Sequence, residues 1–164
     1  MKKFPTAGYL SGQTLLEVLV ALGVATIVIS AIVVIVISSL KGGQFSTSQN
    51  QANQYAQEGL EIVKNKAQSD WTTFRSYLPY SCLGQDQTIS PPLGTSCGSN
   101  LGTFSREILF SHYVANDGNT DCLPTTVDRT KVTATVYWSD SKCPAGTPFC
   151  HKVQLISCLF KSGS

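Results

Sequence analysis

Charge is scarce in this chain: only 13% of its 164 residues are Asp, Glu, Lys or Arg, and the formal net charge is +2. Lys2 and Lys3 supply that excess, so the sequence from residue 13 onward is neutral. Such a balance excludes the basic footprint by which nucleic-acid-binding proteins meet phosphate, and no nucleic-acid partner is expected. Also missing are a P-loop, a dinucleotide fingerprint and a basic stripe interleaved with aromatics, so no nucleotide or other cofactor is implied. Charge is absent altogether from Val18 to Ile37. No A-x-A-like site follows that run, which is longer than the roughly 7–15 residues of a secretory h-region. Removal as an ordinary signal peptide is therefore not expected.

What is present begins with that apolar run. At about 1.5 Å rise per residue, a helix over Val18–Ile37 crosses roughly 30 Å of hydrocarbon. Lys2 and Lys3 precede it with no acidic residue before Glu17. The positive-inside rule then leaves the N-terminus in the cytoplasm and residues 42–164 outside. All six cysteines, Cys82, Cys97, Cys122, Cys143, Cys150 and Cys158, fall in the outer part. An even number in a small exported domain predicts disulfides, and six cysteines allow 15 pairings. Short Pro/Gly loops favour Cys143 with Cys150 and Cys82 with Cys97, which leaves Cys122 for Cys158.

Beyond the apolar run, Phe45, Ala52, Ala56, Leu60, Val63, Ala67, Trp71 and Phe74 are spaced as one stripe of a 3.6-residue helix. Gln49, Gln54, Gln57, Glu61, Lys64 and Gln68 occupy the opposite face. The spacing predicts one long helix, its first half in lipid and its second half supporting a head, with Gly42 and Gly43 as a point where the halves can bend. The head is expected from about residue 75, opening on a Gly/Pro/Ser/Cys-rich loop with at most short strands. Alternation then predicts strands over Arg106–Val114, Lys131–Trp138 and Lys152–Phe160. The last two should form an antiparallel hairpin around the stretch SDSKCPAGTPFCH. The expected fold is α+β: a long helix packed on a small antiparallel sheet.

Several chemical motifs are weighed against that frame. Gly94-Thr95-Ser96-Cys97-Gly98 matches G-x-S-x-G, but Pro91-Pro92 precede it and no helix pattern follows, so the strand-turn-helix context of a nucleophile elbow is missing. His151 as a triad member fails with it, and His112 and His151 are expected as ordinary strand residues. Asp117, Asn119, Asp121 and Asp128 have the spacing of a calcium loop, but Cys122 stands where the sharp turn needs glycine. A polar Asp-Gly turn is preferred to that calcium site. For zinc, Cys143, Cys150 and His151 lack a close cysteine pair, and an oxidising compartment favours the disulfide. The expectation is no catalytic residue, no metal and no enzyme activity.

One carboxylate resists a bland reading. Glu17 opens the apolar run, where a charge in lipid costs up to roughly 2.5–3.5 kcal/mol at a helix centre and less near an end, so it calls for a partner or a task. The surrounding GQTLLEVLVA, Gly12 to Ala21, resembles the N-terminus of a type IV prepilin: a basic leader ending in Gly, then an aromatic or other residue, then Thr-Leu-Leu-Glu-Val, with Glu fifth after the cut. The stretches YAQEGLEIVKNKAQSDW, KVTATVYWSD and KVQLISCLF are similar to minor pilins of the pilus-modification type. The resemblance implies a leader of residues 1–12, cleavage by prepilin peptidase between Gly12 and Gln13, and N-methylation of Gln13. It further implies a filament-core helix over 13–41, an amphipathic continuation over 42–74 and a disulfide-bonded head over 75–164. Its partners would be prepilin peptidase, other pilin subunits, the assembly machinery and the inner membrane before assembly, with final placement at the cell surface. Ser11 and Gln13 depart from the commoner basic and Phe or Met residues. The Gln13 ammonium, in the same or a neighbouring chain, would pair with Glu17 and set axial register. A pseudopilin of type II secretion or competence fits the same motif. A signal-anchored exported enzyme or binding domain is the alternative from a different class, and it would not need Glu17.

Overall fold

The computed structural model describes residues 13–140 and 142–161. The chain divides into two compact units, residues 1–44 and 45–164. Helix α1, Gln13–Ser69, runs through Gly42 and Gly43 without interruption. In the first unit every described side chain from Leu15 to Gln44 is exposed. Thr26 and Ser30, polar residues within the apolar run, turn their hydroxyls back onto the carbonyls of Gly23 (2.8 Å) and Thr26 (2.7 Å). Such local bonding keeps a hydroxyl satisfied where water is absent. The helix contains a segment long and apolar enough to cross a membrane.

The second unit is an α+β head in which the later part of α1 packs on a five-stranded sheet. Ala52, Ala56, Val63 and Ala67 are buried along the expected stripe, joined by Ile62. The single long helix expected through Phe74 is corrected: α1 stops at Ser69, and Trp71–Arg75 forms a separate short helix, α2. Asp70 causes the break. Its backbone is extended and its carboxylate accepts from the Thr72 and Thr73 N–H groups at 2.9 and 3.1 Å, so a new helix starts where the old one ends. The Thr73 hydroxyl also bonds this carboxylate, and together with the N–H donors it holds the Asp70 pKa below its ordinary value. Phe74 still reaches the core, 5.7 Å from the Phe110 ring.

The sheet has strands β1 (Tyr80–Leu83), β2 (Ile89–Ser90), β3 (Ser105–Tyr113), β4 (Arg129–Trp138) and β5 (His151–Phe160), all antiparallel in the order β2-β1-β3-β4-β5. The three long strands correspond to the alternating segments, and the β4–β5 hairpin pairs Trp138 with His151 and Arg129 with Phe160. Ile108 and Phe110 on β3 and Val132, Ala134, Val136 and Trp138 on β4 turn to the core. One core cluster centres on Val63, Phe74, Leu83, Ile108, Phe110 and Val132, and a second on Ala52, Ala56, Phe104, Val136 and Trp138. Cys82 is joined to Cys97, Cys122 to Cys158 and Cys143 to Cys150, the pairing that loop spacing favours.

Candidate functional site

The residues that the prepilin resemblance singles out fall at one end of α1. Gly12 lies outside the described residues, and Gln13 is the first residue of the helix, its side chain likewise outside the description. Glu17 sits one turn further on, exposed, directly before the uncharged run.

Two buried arginines that the sequence reading did not single out tie segments of the head together. Arg106 opens the inward-facing row of β3 and is fully buried. Its Nε donates to the Leu83 carbonyl (3.1 Å), Nη1 to the Tyr55 carbonyl (3.0 Å) and Nη2 to the Gly84 carbonyl (3.0 Å), with Glu58 at 3.5 Å as counter-ion. Burial lowers its pKa, and Glu58 opposes that shift. Asn100 completes the joint, accepting from the Arg106 N–H (2.7 Å) and donating to its carbonyl (2.9 Å). Gly59 gives the guanidinium room: a Cβ there would lie 3.1 Å from Arg106 Cδ. One side chain thus ties α1, β1 and β3 together.

Arg129 resolves the calcium-like spacing. Its Nη2 meets Asp117 Oδ1 at 2.6 Å and the Asn119 carbonyl, and its Nη1 donates to the Val114 carbonyl at 3.0 Å. Asp121 accepts from Lys131 (3.1 Å) and the Tyr113 hydroxyl (2.9 Å), while Asp128 faces Arg75 at 3.3 Å. Burial pushes the Asp117 pKa up, but the Arg129 hydrogen bond and charge outweigh it and the net shift is downward; hydrogen bonds from Lys131 and Tyr113 lower Asp121. Each carboxylate of the loop already faces a protein cation, and Asn119 uses its Oδ1 on the Asp121 N–H (2.7 Å). Arg129 holds Asp117 and the Asn119 carbonyl, Lys131 holds Asp121 and Arg75 holds Asp128.

The other motifs resolve in the same way. Ser96 bridges to Leu93 across a turn and Cys97 is tied to Cys82, so G-x-S-x-G lies in a stapled loop. His112 bonds Thr130 Oγ1 (2.8 Å) and stacks on Phe110, and burial lowers its pKa. His151 faces Asp140 at 3.2 Å and packs between Phe45 and Trp138. Asp140, Cys143, Cys150 and His151 bring potential ligand atoms within 4.8 Å of one another. Cys143 and Cys150 are joined as a disulfide, so their sulfurs are not thiolates and this is not a zinc set.

Fold and site together define a membrane-length helix that carries a disulfide-stapled α+β head. No family model, curated protein or solved structure matches this chain.

Proposed function

We propose that the protein is a pilin-like assembly subunit, stored in the inner membrane through α1 and drawn by that helix into the core of a type IV pilus or related filament. The observation that carries the reading is the contrast along α1: an apolar first half exposed on every side and headed by Glu17, continuous with a second half that serves as the spine of the head. A helix that is apolar all round needs an apolar surrounding, either lipid or other such helices. Exchange between those two surroundings costs little hydrophobic energy, so a charged contact is left to decide register. Glu17 supplies that contact, with the ammonium exposed by cleavage before Gln13 as its partner. The protein acts by assembly, and prepilin peptidase and neighbouring pilin subunits are its partners. Within this reading a minor pilin is favoured over a pseudopilin by the likeness of the head segments to pilus-modification proteins.

The test is incorporation. Glu17→Ala should be processed and membrane-inserted like the wild type, yet enter sheared filaments at a level about tenfold lower, the loss expected for one partly desolvated ion pair. Glu17→Asp should recover part of it. Normal incorporation of Glu17→Ala would overturn the register role.

A further inference from the structure

The face of the sheet turned away from α1 carries a carboxylate in mid-sheet. Glu107 on β3 stands opposite Cys82 on β1 and Thr135 on β4 and is half-buried. Glu58, Asp117, Asp121, Asp128 and Asp140 each lie within ion-pair distance of a cation or histidine of their own chain. Glu107 pairs with none among the described residues. Its near neighbours are phenols: burial raises the pKa of Tyr80 and of Tyr137, and Glu107 raises both further. A half-buried carboxylate without an ion-pair partner among the described residues favours a cation beside it.

The carboxylate borders a shallow, open depression of about 240 Å³ lined by Glu107, Tyr137, Gly146, Thr147, Pro148 and Phe149. The far wall is the loop closed by the Cys143–Cys150 disulfide. Inside the loop, Thr147 donates to the Pro144 carbonyl through its N–H (3.1 Å) and its hydroxyl (2.7 Å). Gly146 holds φ at +88°, a conformation that favours glycine. The wall is therefore formed before any ligand arrives.

We propose that this depression binds a primary ammonium, with Glu107 as counter-ion and the rings of Tyr137 and Phe149 as cation–π walls. The donor set selects among cations. A divalent metal needs several oxygen ligands, and one carboxylate does not supply them. A guanidinium prefers both carboxylate oxygens in a fork, whereas two phenols already compete for Glu107. A compact ammonium needs one free lone pair and an aromatic face. It can come from a lysine side chain of another polypeptide or from a free aliphatic amine. Lys152, exposed and paired with Tyr137 across β4 and β5, is the ammonium of this chain nearest in register and makes no ion pair with Glu107.

The experiment is calorimetric titration of the full-length protein in maltoside micelles, which contain no ammonium head group. The probes are Nα-acetyl-lysine methylamide, n-butylammonium and the neutral Nα-acetyl-norleucine methylamide. The lysine amide should bind saturably and about tenfold more tightly than its norleucine counterpart, and Glu107→Gln should remove that difference. Phe149→Ala, in an exposed loop, should weaken binding about two- to fivefold and keeps the test valid if Glu107→Gln misfolds. Tighter binding of the lysine amide than of butylammonium identifies a polypeptide source, and the reverse order identifies a free amine. Lys152→Ala should leave binding unchanged or strengthen it. Equal binding of lysine and norleucine amides, unchanged binding in both variants, or no binding of any probe would overturn the proposal.

Discussion

Two stretches of one helix meet opposite fates. From Leu15 to Gln44 every described side chain of α1 is exposed, whereas from Phe45 onward the same helix buries Ala52, Ala56, Gly59, Ile62, Val63 and Ala67 against a sheet. The two differ in how much apolar surface they carry and also in how it is distributed around the helix. The first is apolar around its whole circumference and has no single face to bury, so no one-sided partner can cover it. The second confines its apolar residues to one stripe and is satisfied by one sheet. The first stretch is long and apolar enough to cross a membrane, and a continuous apolar surface of that extent exceeds what a water-exposed protein ordinarily carries.

Substitutions should respect this division. The largest effects belong to the head, where the chain-entropy argument gives about 4 kcal/mol for the Cys122–Cys158 link, about 3 for Cys82–Cys97 and about 2.5 for Cys143–Cys150. Their separations of 36, 15 and 7 residues set that order. Pairwise Cys→Ser variants followed by thermal unfolding should show this ranking, with membrane extraction of α1 unaltered in all three. A loss of membrane retention in any of them would break the separation between the two stretches.

Glycines sharpen it further. Gly59 and Gly42 both lie inside α1, where alanine is ordinarily favoured by about 1 kcal/mol. At Gly42 an added Cβ meets nothing within 4 Å, but at Gly59 it meets the Arg106 side chain, which three carbonyls hold in place. Gly59→Ala should therefore destabilise the head by about 1 kcal/mol in urea unfolding despite its better propensity, while Gly42→Ala leaves head stability unchanged. Equal responses would mean that Arg106 can give way.

Acid should produce the smallest and most local change. The pKa values of Asp117 and Asp121 are lowered in the fold, so the stability they contribute is present above the unfolded carboxyl value of about 3.9 and disappears as pH falls through their folded values. The melting temperature of the wild-type head should drop between about pH 5 and pH 3, and Asp117→Asn should be less stable at neutral pH but drop less over that interval. Helical signal from the first stretch, in detergent, should not follow this titration.

The strands were legible because period-two alternation persists through each of the three long segments. The helix break was hidden because the stripe steps by four and then three across Asp70, so Trp71 and Phe74 continue the pattern although they belong to a new helix. Only the capping role of Asp70, followed by two threonines, marks the boundary. The buried arginines had no local signature. Arg106 bonds carbonyls 22, 23 and 51 residues away, and such partners exist only after folding. In the acidic loop a polar turn was preferred to the calcium-like spacing, but the cations that face its carboxylates, Arg129, Lys131 and Arg75, had no signature in that spacing. The pairing of the cysteines was accessible because two short Pro/Gly loops leave little choice for the third pair. At the membrane end the pattern around Gly12, Gln13 and Glu17 rests on resemblance.

The central claim is therefore tested most directly at that junction, by mass spectrometry of the membrane-extracted protein made with and without prepilin peptidase. The account predicts a mature species beginning at Gln13, N-methylated, only when the peptidase is present. A chain that keeps Met1 and residues 2–12 in both preparations would contradict it.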